Sequence, residues 1–130
     1  MTFRMLLAGA AALALLATPV FAEDYAGGAV KTADIGGKTV LTDANGMTLY
    51  TFDKDTAGVS NCYDQCATNW PPAMADAAAA ADGDFTIVDR TDGTKMWAYK
   101  GLPLYLWKND AKPGDVTGDG VGGVWHTAVE

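Results

Sequence analysis

The sequence is poor in the side chains that most often carry out chemistry. It has one histidine, His126, and two cysteines, Cys62 and Cys66, among 130 residues. A structural zinc site needs four such ligands, so zinc is not predicted. The sequence also lacks the P-loop pattern and the G-x-S-x-G elbow, which removes two common phosphate-binding and nucleophile motifs. We therefore predict no cofactor and no catalytic residue.

Positive charge is also scarce. The chain has 9 Lys and Arg residues against 16 Asp and Glu residues, which gives a formal net charge of −7. An acidic surface repels phosphate backbones, so nucleic acid is excluded as a predicted partner. The length predicts a single domain.

Long apolar runs are missing except near the N-terminus. Residues 5–16 are uncharged and apolar, Arg4 precedes them, and Val20-Phe21-Ala22 follows. This order is typical of a secretory signal peptide, residues 1–22, cleaved before Glu23. The run is shorter than the roughly 20 apolar residues that a membrane span requires. We therefore predict a periplasmic or secreted protein, soluble after cleavage, with no stable membrane insertion.

What the sequence does contain is a repeated motif. Tyr50, Phe52 and Asp55 return as Tyr105, Trp107 and Asp110, and the same 55 positions separate each residue from its counterpart. Trp70 and Trp125 keep this separation. A constant offset indicates duplication. The sequence predicts a lead-in at 23–35 and a domain at 36–130, made of repeats at about 36–72 and 84–128.

Alternating apolar residues predict a small, mainly β domain. Lys38–Thr42 and Met47–Phe52 form a predicted hairpin around the Asn45-Gly46 turn. The second repeat has predicted strands at 84–89, 94–99 and 103–107, and residues 124–129 form a last strand. The alanine-rich segment 73–81 predicts one short helix, with a low-complexity linker as the alternative. The fold class is an antiparallel β domain of two pseudo-symmetric repeats.

Two further patterns concern possible ligands. In an exported protein Cys62 and Cys66 most often form a disulfide, and a redox-active pair is the alternative. Asp115, Thr117 and Asp119 have the opening rhythm of a calcium loop. Position 12 of that loop should be Glu and is His126, so these residues are weak metal candidates and a solvated turn is the preferred interpretation.

The repeated motif resembles that of a known family. The Tyr-x-aromatic-x-x-Asp pattern is similar to the bacterial secreted-repeat lipoproteins named for a Tyr-x4-Asp motif. The resemblance extends to these segments: Ser60 to Cys66, Trp70-Pro71-Pro72, Arg90 to Thr94, Gly101 to Tyr105, and Gly123 to His126. It implies export and gives no established activity. Many relatives carry a lipidation cysteine at the end of the signal peptide, and this chain has none there.

Three functional interpretations follow. The preferred one is an exported, non-catalytic module that binds an unknown protein or small ligand of the cell envelope, or has a structural role there. The second is a redox or metal-handling accessory that uses Cys62, Cys66, Met96 and His126. The third is a hydrolase that uses clustered aspartates such as Asp55, Asp110 and Asp115.

The signal peptide gives the first testable prediction. The secreted protein should begin at Glu23, because the small residues before it suit signal peptidase. Intact mass spectrometry of the exported fraction checks this, and a mass that still includes Arg4 would contradict it.

Overall fold

A computed structural model describes residues 23–130 as three small antiparallel sheets and one short helix. The predicted signal peptide and its cleavage site lie outside these residues. Within residues 23–130 the one α-helix is too short to cross a membrane.

The first sheet has the order β1-β2-β3, with β1 at Asp24–Tyr25, β2 at Val30–Ile35 and β3 at Lys38–Asp43. The sequence predicts only a lead-in at 23–35, and the structure has two strands there. The second strand forms because alternate side chains of this segment face the core. Val30 and Thr32 are both buried there. Gly36 and Gly37 then close the hairpin with positive φ angles.

The other two sheets lie in the second repeat and between the repeats. β5 (Phe85–Asp89), β6 (Lys95–Tyr99) and β7 (Leu102–Pro103) form a sheet in that order. β4 (Tyr50–Phe52) pairs with β8 (Trp125–Thr127). β4 and β7 are shorter than the predicted strands 47–52 and 103–107, because the chain changes partner along each of these segments.

The predicted helix at Ala73–Ala81 is wrong. The short helix is α1, Gln65–Asn69, and the alanine-rich segment is extended or turned. The Ala73 N–H donates to the Leu104 carbonyl at 2.9 Å, and the Ala75 N–H donates to the Lys95 carbonyl at 2.9 Å. The Ala73 carbonyl also accepts the Trp97 N–H at 2.8 Å, whereas a helix beginning here would need that carbonyl for the N–H four residues later. Tertiary pairing therefore overrides the helix propensity of alanine.

The two repeats exchange their last segments. The Ala73 N–H, at the end of the first repeat, bonds to Leu104 of the second. Its counterpart Ala128 donates to Leu49 of the first repeat, also at 2.9 Å. The equivalent bridges Met74–Met96 and Val40–Val129 continue the same pattern. Each repeat is therefore completed by the final segment of the other, around a pseudo-twofold axis.

Two hydrophobic clusters lie on opposite sides of the central segments. Leu49 and Leu104 face the first cluster, and their neighbours Tyr50 and Tyr105 face the second. The first cluster also contains Val30, Leu41, Ala73, Phe85, Trp97 and Ala128. The second also contains Cys62, Trp70, Val88, Met96, Ala98 and Trp125. Coverage of both faces of the segment at 103–107 agrees with its continuous apolar sequence.

Different loops cover the second cluster in the two repeats. In the first repeat, Cys62 and Cys66 form the predicted disulfide, with Cys62 fully buried. In the second repeat, Gly118 lies against Trp70, Trp107 and Tyr50. A Cβ atom on Gly118 would lie 2.8 Å from Trp70 Cη2, 2.9 Å from Tyr50 Cζ and 3.0 Å from Trp107 Cγ. Only glycine fits at this position without displacing an aromatic ring.

We expect Gly118→Ala to lower the free energy of unfolding by about 1–3 kcal/mol, because the new methyl group overpacks the aromatic cluster. Urea unfolding and near-ultraviolet circular dichroism measure the loss and the displaced rings. The control is Gly58→Ala, where a Cβ would meet nothing within 4 Å. Its positive φ of 73° adds only backbone strain, so its aromatic spectrum should be unchanged. An unchanged aromatic spectrum for Gly118→Ala would contradict the prediction.

Candidate functional site

The repeated tyrosines meet at the pseudo-twofold axis. The Tyr50 N–H donates to the Tyr105 carbonyl at 2.8 Å, and the Tyr105 N–H donates to the Tyr50 carbonyl at 2.9 Å. Both tyrosines are fully buried. This reciprocal pair joins the two copies of the motif at the centre of the molecule.

The side chains of the motif cross between the repeats. The Tyr50 hydroxyl donates to Asp110 Oδ2 at 2.6 Å, and the Tyr105 hydroxyl donates to Asp55 Oδ2 at 2.7 Å. Each tyrosine therefore bonds to the aspartate of the other copy. Both aspartates are 8% exposed, and a carboxylate so deeply placed needs hydrogen-bond partners.

The second oxygen of each carboxylate holds a loop. Asp55 Oδ1 accepts the Asn61 N–H at 2.7 Å. Asp110 Oδ1 accepts the Thr117 N–H at 3.0 Å and the Thr117 hydroxyl at 2.6 Å. These loops cover the second hydrophobic cluster, so the carboxylates connect the tyrosine pair to its cover.

Burial dominates the electrostatics of this network. Desolvation raises the pKa of Asp55 above its ordinary value, although the Tyr105 hydroxyl and the Asn61 N–H oppose the shift. Desolvation also raises the pKa of Tyr50 and of Tyr105 far above their usual range. The hydrogen bonds to Asp110 and Asp55 add to these two upward shifts. Both phenols are therefore neutral donors at any physiological pH.

Four aromatic rings form a column next to the tyrosines. Trp70 and Trp125 stack at 3.8 Å between ring centroids, with 4° between their planes. Trp107 stacks on the outer face of Trp70 at 3.9 Å, and Phe52 stacks on the outer face of Trp125 at 4.2 Å. The order Trp107, Trp70, Trp125, Phe52 is symmetric about the pseudo-twofold axis. The two central rings are counterparts in the two repeats, and the two outer rings are the aromatic residues of the two motif copies.

Arg90 lies in the second repeat and extends the network to the loop of the first repeat. Its Nη1 donates to Ser60 Oγ at 2.8 Å, and its Nη2 donates to the Cys62 carbonyl at 2.8 Å. Ser60 Oγ lies 2.6 Å from the Tyr105 hydroxyl, so the chain of contacts reaches Asp55. Sequence reasoning did not select Arg90 as a site residue. The one feature of the sequence that pointed to Arg90 was that the segment Arg90 to Thr94 resembles the family.

The side chains of the weak calcium candidates form hydrogen bonds with other residues of the protein. Asp115 Oδ1 lies 2.9 Å from Lys112 Nζ, and this hydrogen bond is the main cause of a lowered pKa at Asp115. Thr117 donates to Asp110, and Asp119 Oδ1 accepts the Thr127 N–H at 2.9 Å. Among residues 23–130, no three or more His, Cys, Asp or Glu side chains are grouped as metal ligands.

The structure brings together only some of the residues of the redox or metal interpretation: Cys62, Cys66 and Met96 share the second hydrophobic cluster, and His126 lies apart from them. Cys62 and Cys66 are joined in the disulfide, and Met96 is buried with its Sδ 3.6 Å from Arg90 Nη1. His126 is an exposed residue of β8, and its Nε2 lies 2.8 Å from Asp53 Oδ2. It borders a surface cleft of about 510 Å³ that also includes Lys38 and Asp119.

A second cleft, of about 550 Å³, lies beside the alanine-rich segment. Its floor includes buried Trp97 and half-buried Leu106, and Met74 on its rim is 54% exposed. The remaining lining is Ala26, Gly27, Gly28, Ala29, Asp43, Ala44, Asn45, Ala73, Asp76, Ala78 and Ala79. We call this the alanine cleft.

Comparison with known proteins gives one match. A family model described as a secreted repeat of unknown function matches residues 30–74 and, a second time, residues 86–129. The two matched segments together cover more than half of the chain. Comparisons with curated proteins and with solved structures find no match.

The crossed hydrogen bonds predict a specific pattern of energetic coupling. In double-mutant cycles, Tyr50→Phe should couple to Asp110→Asn by about 1.5–3 kcal/mol, the range for hydrogen bonds to charged groups. The matched cycle pairs Tyr50→Phe with Asp55→Asn, the aspartate of its own motif copy. Those effects should add to within about 0.5 kcal/mol, because the two side chains share no hydrogen bond. Urea unfolding gives all four free energies, and stronger coupling within one copy would contradict the crossed arrangement.

Proposed function

The chain belongs to the family described as a secreted repeat of unknown function, and we propose that it is an exported, non-catalytic module that binds a small, mainly apolar ligand. We place this activity in the periplasm or outside the cell, as the N-terminal sequence predicts. The alanine cleft is the observation that carries the proposal.

The size and lining of the alanine cleft support ligand binding. Its volume of about 550 Å³ lies within the range of about 300–1,000 Å³ that is typical of small-molecule sites. Trp97 and Leu106 give it an apolar floor, and methionine at the rim adapts to ligands of different shape. Asp43, Asn45 and Asp76 supply the few polar groups that orient a ligand.

The engagement of the motif aspartates supports a non-catalytic role. A general acid or base must come within hydrogen-bond reach of the reacting group. Both oxygens of Asp55 and of Asp110 already accept hydrogen bonds from the protein. The hydrolase interpretation therefore has no free carboxylate in the repeated motif.

Nile red, a neutral apolar dye, tests the proposal. We expect its addition to shift the amide resonances of Gly28 and Ala73 and the indole N–H resonance of Trp97 in two-dimensional NMR spectra. These groups line the cleft, and a bound ring changes the local magnetic environment. No shift at any concentration, or shifts confined to residues outside the cleft, would overturn the proposed site.

A matched pair of variants strengthens this test. Ala78→Trp adds a large side chain to the cleft lining, whereas Ala80→Trp adds the same side chain at an exposed position outside it. Dye binding should weaken several-fold in Ala78→Trp alone, because the indole occupies the cleft. Equal affinities of the two variants would contradict binding there.

A further inference from the structure

The aromatic column and the buried tyrosines form a continuous path. Indole and phenol rings are the side chains that lose one electron most readily, and electron transfer between them is fast at contact distance. The geometry points to a second activity, independent of the alanine cleft: the column is a one-electron redox relay that begins at Trp107 and ends on Tyr50 and Tyr105. Its oxidising partner is a diffusible one-electron oxidant, such as a peroxide-derived radical or a high-potential metal complex.

The column has one point of access for electron transfer. Trp107, at one end, is partly exposed, whereas Trp70 and Trp125 are each only 4% exposed. Phe52, at the other end, is also partly exposed, but a phenyl ring resists oxidants that attack indole. An oxidant that is too large to enter the core therefore reacts at Trp107. The formal net charge of −7 attracts cationic oxidants to the protein.

The two tyrosines are suited to be the end points. Tyr50 lies edge-on to Trp70 with 5.4 Å between centroids, and Tyr105 lies edge-on to Trp125 at 5.2 Å. A phenol that loses an electron must also release its proton, so it needs an acceptor within hydrogen-bond reach. Asp110 is 2.6 Å from the Tyr50 hydroxyl, and Asp55 is 2.7 Å from the Tyr105 hydroxyl.

Each turn of the relay moves one electron to the oxidant and one proton from a phenol to a carboxylate. Trp107 gives one electron to the oxidant and becomes an indole radical cation, and Trp70 then reduces Trp107. Tyr50 reduces Trp70 and transfers its phenolic proton to the Asp110 carboxylate, which leaves a neutral tyrosyl radical beside a carboxylic acid. The other branch runs through Trp125 to Tyr105 and Asp55. A one-electron reductant such as ascorbate returns the electron, and the proton moves back to the phenol.

The other tyrosines lie outside this path and serve as controls. Tyr25 stacks on Phe85, Tyr99 lies beside Phe85, and Tyr63 covers Arg90. A relay therefore forms its radical on Tyr50 and Tyr105, whereas simple surface oxidation forms it on the other three residues. Trp97 is buried in the first hydrophobic cluster, outside the column, and is the tryptophan control for Trp107 in the relay.

Photogenerated tris(bipyridine)ruthenium(III) is the probe, with transient absorption and freeze-quench electron paramagnetic resonance as the readouts. We expect the triple variant Tyr25→Phe/Tyr63→Phe/Tyr99→Phe to keep the tyrosyl signal. The double variant Tyr50→Phe/Tyr105→Phe should lose it and accumulate a longer-lived tryptophan radical. Trp107→Phe keeps the stacked ring and should slow tyrosyl formation several-fold, whereas Trp97→Phe should leave this rate unchanged. Asp55→Asn/Asp110→Asn should slow tyrosyl formation as well, because the proton acceptors are gone.

Two results would overturn the relay. One is a tyrosyl signal that survives in Tyr50→Phe/Tyr105→Phe and disappears in the triple variant, since oxidation would then be confined to the surface. The other is an equal rate of tyrosyl formation in Trp107→Phe and Trp97→Phe. If the double tyrosine variant does not fold, this second comparison decides alone, because each substitution there replaces one aromatic ring by another.

Discussion

The crossed hydrogen bonds of Tyr50 with Asp110 and of Tyr105 with Asp55 are the constraint on which the structure depends. A buried carboxylate or hydroxyl is costly unless it is paired, and here each repeat holds only half of each pair. The exchange of the final segments imposes the same condition on the backbone, since Ala73 and Ala128 donate across the repeats. Neither repeat can satisfy its own buried groups, so the two repeats form one cooperative unit.

The symmetry ends at the loops that cover this centre. Equivalent loops place the Cys62–Cys66 disulfide over one side of the aromatic cluster and Gly118 over the other. The two tyrosines also have different hydrogen-bond partners. Only Tyr105 contacts Ser60 and, through Ser60, Arg90. The Tyr50 hydroxyl instead accepts a hydrogen bond from the Gly118 N–H at 3.2 Å. The shared motif therefore defines the architecture, and the loops give its two copies different environments.

Local patterns predicted what depends on neighbours in the sequence. The spacing of the motif predicted the duplication, the alternation of apolar residues predicted the mainly β fold, and the cysteine pair predicted the disulfide; all three are confirmed. The helix at Ala73–Ala81 was wrong because propensity ignores bonds to Leu104 and Lys95, which are distant in the sequence. Alternation shows which face Tyr50 occupies, but it cannot show that its partner is the aspartate of the other repeat. The sequence could not indicate the partners of Arg90 for the same reason, because Ser60 and Cys62 are distant from it in the sequence.

The aromatic position of the motif has a structural meaning that neither repeat shows alone. Phe52 and Trp107 occupy it, and they are the two end rings of the column. Stacking requires only a flat ring there, so packing accepts either phenylalanine or tryptophan. One-electron oxidation does not, because only the indole yields an electron readily. The duplication therefore gives a column that is symmetric in shape and has a direction in its redox chemistry, with oxidation passing from Trp107 to Tyr50 and Tyr105.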